Sequence, residues 1–209
     1  MADQTKTASL WTPRTVEDTQ KLYADWADTY DDDVTSLNYV TPDRIARALL
    51  AQTSDRTRPV LDFGCGTGLS GQALKRHGFT TIDGTDISPE MLDRAQAKTV
   101  EGILVYRHIW LSDPAFFNFK SGAYSMVVAT GVVSLGAAGP EMLGILVGAL
   151  ARDGLLAFSY NNPTVADPRY ADALDKILSD GIATLLFREH GPHLSAQVTG
   201  SDVIVLRRR

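Results

Sequence analysis

A single cysteine, Cys65, in 209 residues excludes an internal disulfide and any cysteine-built metal cluster. No apolar run approaches the ~20 residues of a membrane span, and the opening MADQTKTASL lacks an apolar signal core. The expectation is a cytoplasmic protein. Positive charge is scarce as well: 20 Lys and Arg stand against 25 Asp and Glu, a net charge of -5. Such a surface has no general attraction for nucleic acid or an anionic membrane. The only basic cluster, Arg207 to Arg209, reads as a solvated terminus. Repeats and low-complexity stretches are absent. At 44% hydrophobic and 22% charged, the chain suits one globular domain with a full core, 15–209, behind a flexible tail over 1–14.

What is present centres on VLDFGCGTGLSG, Val60 to Gly71. Val60 to Phe63 reads as a short buried strand. Gly64, Gly66 and Gly68 let the backbone turn sharply with a ligand lying against it. A helix follows, with Leu69, Ala73 and Leu74 on one face and Gly78 placed to end it. This arrangement cradles nucleotide-like ligands, and one register, Gly66-x-Gly68-x-x-Gly71, satisfies the dinucleotide fingerprint. Asp62 separates the readings, because a fixed carboxylate before the turn repels a pyrophosphate and complements an ammonium or sulfonium group. The dinucleotide register also opens late, since Gly64 already stands at the strand's end. S-adenosylmethionine is therefore favoured, with a nicotinamide cofactor as the rival. Cys65 has no base placed beside it by motif, which argues against a nucleophile.

Around this centre the chain reads as alternating helices and strands. Thr15 caps a first helix carrying Leu22, Trp26 and Tyr30 on one face, and the chain leaves it near Tyr30 because Asp31 to Asp33 oppose the dipole at a helix end. Thr41 and Pro42 start a second helix with Ile45, Ala48 and Leu49 inward. These two helices, residues 15–52, are free to form a lid over a core spanning 59–209. Strands are expected at Phe79 to Asp86, Leu104 to Trp110, Ala123 to Thr130 and Leu155 to Tyr160. Ser88–Pro89, Pro140 and Asp167–Pro168 open the intervening helices. The tail offers strands at Thr184 to Arg188 and Asp202 to Arg207, and a possible piece at Leu194 to Val198.

LDFGCGTG at Leu61 to Gly68 and the acid Asp86 in GTDIS, 18 positions after Gly68, resemble the first two motifs of class I S-adenosylmethionine-dependent methyltransferases. YDDDVTSLNYVTP (Tyr30 to Pro42) and SPEML (Ser88 to Leu92) resemble a small, mostly uncharacterised subgroup. The resemblance implies an α/β fold: a doubly wound, seven-stranded, mostly parallel sheet whose last strand inserts antiparallel. It implies a cofactor site drawn from Tyr30, Asp62, Gly64, Cys65, Gly66, Gly68, Asp86, Ile87, Met91, Asp113 and Thr130. In it Tyr30 covers the methionyl end, Asp86 binds the ribose and Asp113 meets the adenine amino group. Three departures stand out. Pro114 removes a backbone donor, Ser125 replaces a usual aspartate, and Leu135 and Ala137 stand where subgroup members carry histidines.

Methyl transfer from a sulfonium asks mostly for proximity, alignment and exclusion of water. A base is needed only when the acceptor must lose a proton. His108, His190 and His193 are the titratable candidates, Tyr160 and Asn161 stand at a strand end facing the acceptor side, and no catalytic residue is assigned. The expected reaction is methylation of a small molecule by a monomer or homodimer, without metal, nucleic acid or membrane. S-adenosylhomocysteine is the product. The alternatives are a non-catalytic protein binding S-adenosylmethionine or S-adenosylhomocysteine, and an NAD-dependent oxidoreductase.

Overall fold

The computed structural model describes residue 12 and residues 14–113, 120–196 and 198–209. Helix α1, Val16–Trp26, is capped by the Thr15 side chain, which accepts from the Asp18 N–H. It stops at Trp26, and a second helix, α2, runs Tyr30–Ser36. The expectation that Asp31 to Asp33 terminate a helix is thus corrected: they form the first turn of a new one, where the dipole favours carboxylates. Helix α3, Thr41–Gln52, has Pro42 in its first turn but no side-chain cap. Thr41 does not cap it, because its hydroxyl is engaged by His193 Nδ1 at 2.8 Å and Ser201 Oγ at 3.2 Å.

The core alternates as expected: β1 (Val60–Phe63), α4 (Leu69–Arg76), β2 (Ile82–Asp86) and α5 (Pro89–Gln96). A small hairpin, β3 (Thr99–Val100) and β4 (Ile103–Leu104), then turns through Glu101 and Gly102, both at positive φ. The third sheet strand is therefore shorter than expected: β5 covers only His108–Leu111. Next come β6 (Tyr124–Ala129), α6 (Met142–Ala149), β7 (Leu150–Asn161), the short α7 (Asn162–Val165), α8 (Pro168–Ser179), β8 (Ala183–Pro192) and β9 (Gly200–Arg208). β7 starts five residues early, since Leu150 pairs with Tyr124 before the register shifts. Leu194 to Val198 forms no strand among its described residues.

The sheet runs β5-β2-β1-β6-β7-β9-β8, parallel except that β9 lies antiparallel between β7 and β8. This is the doubly wound, seven-stranded architecture that the motifs imply. Strand alternation sends Val60, Ile82, Met126 and Leu155 to the face covered by α3, α4 and α5. Leu61, Phe63, Val127 and Leu156 face α6 and α8. Both faces are buried, which explains why the strands read as continuous apolar runs rather than alternating ones. A third cluster joins Trp26 and Val34 of the first two helices to Tyr23, Tyr30, Tyr39 and Leu69.

Candidate active site

The C-terminal ends of a parallel sheet are where its loops converge, and here they surround a cavity of about 690 Å³. One end is built from backbone turns. Gly64, Gly66 and Gly68 have φ of 65°, 54° and 97°, the left-handed region that favours glycine. They are not equivalent. A Cβ on Gly64 would sit 2.1 Å from Val132 Cγ2, whereas one on Gly66 would meet nothing within 4 Å. Gly64 is required by packing, and Gly66 leaves an open face on the cavity wall.

Asp86 links this turn to the next helix. Its Oδ2 accepts from the Gly66 N–H at 2.8 Å and its Oδ1 from the Ser88 N–H at 3.0 Å. Burial raises its pKa, with those backbone donors opposing the rise. Gly64, Gly66, Asp86, Ile87, Met91, Thr130 and Tyr30 all line the cavity, and the Thr130 hydroxyl is buried without a partner among the described residues.

Four residues of the expected cofactor set do not line it: Asp62, Cys65, Gly68 and Asp113. Asp62 has Val60's parity in β1, so its side chain lies beneath the turn and is fully buried. There its Oδ2 accepts from the Ser70 hydroxyl at 2.6 Å and the Tyr106 hydroxyl at 2.7 Å, and the Gly71 backbone N–H also stabilises the carboxylate. Desolvation lifts its pKa to about 6 against the pull of those two hydroxyls. Gly71, third in the dinucleotide register, is glycine for a packing reason: a Cβ there would lie 2.3 Å from the Tyr106 hydroxyl oxygen. Cys65 is buried, and burial beside Asp62 and Asp86 pushes its thiol pKa well up, against thiolate chemistry. Asp113 is exposed while its neighbour Ser112 reaches the wall, and Pro114 lies outside the described residues.

The rest of the cavity wall is made of side chains. Tyr23, Trp26 and Tyr39 come from the N-terminal segment, the loop 131–140 covers one side, and Asn161, Tyr170, His193 and Leu194 come from the C-terminal half. Tyr160, expected with Asn161, packs instead between Phe158 and Tyr170. The N-terminal segment is tied to the core at several points. Gln20 donates to the Ile87 carbonyl at 3.0 Å, Arg14 to the Gly136 carbonyl at 2.6 Å, and Thr67 to Asp31 at 2.5 Å. Lys98 pairs with Asp31, and Trp26 Nε1 donates to Asp33 at 2.7 Å. Asp31 thus ties the N-terminal helices to the core and Asp33 ties the first two helices to each other, and no group of three potential metal ligands occurs among the described residues. Arg14, at the edge of the expected tail, is itself part of the wall.

Of the candidate histidines only His193 reaches the cavity. Its ring is buried, and desolvation together with Arg44 lowers its pKa to about 4. His108 and His190 are exposed partners of Asp83 and Asp202. Arg169 and Glu141 also line the cavity, at its rim. Nothing in their local sequence marks them, since both reach the site through tertiary placement of α6 and α8.

A family model described as a methyltransferase domain matches residues 35–201. Human methyltransferase-like protein 27 is 43% identical over 83 residues, 37% of this chain and 34% of that protein. The 18S rRNA (guanine-N(7))-methyltransferase of Bos taurus is 36% identical over 88 residues, 42% of this chain and 30% of that protein. The matches span about a third of the length of these curated relatives. Magnesium protoporphyrin IX methyltransferase from Synechocystis PCC 6803, solved with bound SAM, shares the fold at 20% identity. Its TM-score is 0.63, over 98% of this chain and 90% of that one. No helix among the described residues is long and apolar enough to cross a membrane.

Proposed function

The chain belongs to the methyltransferase-domain family, and from that premise we propose that it is an S-adenosylmethionine-dependent methyltransferase acting on a small-molecule acceptor. The observation carrying this reading is a glycine turn open to the cavity at Gly66, held by Asp86 on the same wall. Two of the carboxylate's lone-pair sites serve Gly66 and Ser88, so capacity remains for the hydroxyls of a ribose. The unpartnered Thr130 hydroxyl offers a further polar contact. Asp62 contributes through the field of its buried carboxylate rather than from the wall.

When bound, the cofactor supplies a methyl group made electrophilic by its sulfonium. The protein's part is to align and to exclude water. Tyr30 and Trp26, whose ring centroids are 4.7 Å apart, close the cavity from the lid side. His193, held neutral, is positioned on the acceptor side without being required as a base for an acceptor that arrives already nucleophilic. A cavity of about 690 Å³ under a fastened lid favours a small acceptor. Similarity to rRNA methyltransferases favours RNA, but a net charge of -5 opposes phosphate binding.

Calorimetry with S-adenosylmethionine, S-adenosylhomocysteine and NAD tests the cofactor. Binding of the first two without NAD is the expected result, and NAD binding alone reverses the assignment. Labelled-cofactor turnover with small acceptors and with total RNA tests the rest. Label in RNA refutes the acceptor class, and cofactor binding with no turnover points to a non-catalytic binding protein.

A further inference from the structure

Asn161 is the last residue of β7 and is 3% exposed, yet it lines the cavity. The Thr164 N–H donates to its Oδ1 at 3.1 Å and the Thr164 hydroxyl donates to the same atom at 2.7 Å. A backbone N–H can only donate, so the amide oxygen is the atom it meets, and capping of α7 settles which way the amide points. That leaves Nδ2 as the group Asn161 presents, with no acceptor among the described residues. The nitrogen is not fully enclosed, so it is the donor that a ligand entering the cavity would meet.

Its neighbours have commitments of their own. Ser201, its register partner on β9, accepts from Arg44 at 3.0 Å and is engaged by Thr41. The Thr164 hydroxyl also accepts from the Leu135 N–H at 3.0 Å. The rings of Tyr23, Trp26 and Tyr39 line the same cavity, Tyr39 in edge contact with the His193 ring at 5.2 Å.

We propose that Asn161 is a specificity-determining residue of the acceptor end, donating from Nδ2 to a carbonyl, carboxylate or phenolate oxygen of a small aromatic acceptor. The proposal rests on the methyltransferase reading above. It assigns the amide a role beyond capping, and the two roles separate in Asn161→Asp, which keeps an oxygen for Thr164 but withdraws the donor.

The test uses benzamide, benzoate and benzylamine as probes, titrated by ligand-observed NMR onto protein saturated with S-adenosylhomocysteine. Benzamide and benzoate are expected to bind the unaltered protein more tightly than benzylamine. Asn161→Asp is expected to keep its melting temperature and S-adenosylhomocysteine affinity while losing about tenfold in benzamide affinity. Benzamide is neutral, so the loss reports the donor rather than charge repulsion. Asn161→Ala, lacking the cap, should also lower the melting temperature. Unchanged benzamide affinity in Asn161→Asp, no binding of either oxygen-bearing probe, or preference for benzylamine at the Glu141 rim overturns the proposal. Failure of the unaltered protein to bind S-adenosylhomocysteine instead removes the cofactor assignment and this proposal with it.

Discussion

The wall of the cavity is made of two different materials. Around the glycine turn, backbone does the shaping: Gly64, Gly66 and the strand-end carboxylate Asp86 lie within 23 positions of one another, and the Asp86 side chain accepts from the Gly66 and Ser88 backbone N–H groups. Over the rest of the wall, side chains do it: Tyr23 and Trp26 come from the N-terminal helices, and Asn161 and His193 from the C-terminal half. A wall of backbone tolerates little change and suits a ligand that never varies. One assembled from separate side chains can be altered residue by residue without unmaking the fold, as a variable acceptor would require.

The sharpest way to break this comparison is inside the turn itself. Gly64→Ala combines a left-handed φ with a Cβ 2.1 Å from Val132, so it should destabilise the protein by about 3 kcal/mol in chemical denaturation. Gly66→Ala faces open space and should cost only about 1 kcal/mol of stability. Its methyl group, however, occupies the cradle, so S-adenosylhomocysteine affinity should fall by about tenfold or more in calorimetry. Equal stability losses in the two variants would show that the turn does not divide packing from binding in this way.

Next in size is Asp86→Ala. Removing hydrogen bonds between a carboxylate and a ribose should weaken S-adenosylhomocysteine binding by about 1 to 3 kcal/mol, with acceptor-probe affinity unaffected. Unchanged cofactor affinity would remove Asp86 from the binding wall and leave it as a link between the Gly66 and Ser88 amides.

The same contrast explains what was legible from residues alone. Glycines at alternate positions, a strand-end acid and a Ser-Pro helix start are demands of local backbone geometry, so the turn, Asp86 and α5 are where the sequence pattern puts them. The doubly wound sheet with its antiparallel last strand is what the resemblance to class I methyltransferases implies, and the structure has it. Asp62 was harder, because its spacing to the glycines says nothing about which face of β1 it takes. Alternation from Val60 buries it beside Ser70 and Tyr106. Thr41 carries a capping residue's chemistry but spends it on His193, more than 150 positions away. Arg169, Tyr170 and Glu141 have no local signature at all.

The smallest effect concerns two buried groups that titrate against each other. Asp62, with a folded pKa of about 6 against an ordinary 3.8, holds a proton that the unfolded chain has released, so its contribution to stability falls as pH rises from 4 to 6. His193, at about 4 against 6.5, behaves oppositely: the unfolded chain binds the extra proton, and stability rises from pH 4 to 6.5. The two slopes, each at most about 1.4 kcal/mol per pH unit, nearly cancel, with Asp86 tilting the balance in the direction of Asp62. Removing one partner at a time should expose the other. Asp62→Asn should make stability rise by about 1 kcal/mol per unit between pH 4 and 6, and His193→Gln should make it fall by a similar amount, both read from urea midpoints across that range. Parallel pH profiles in the two variants would mean that neither group is as thoroughly desolvated as its place beneath the turn or behind the acceptor wall requires.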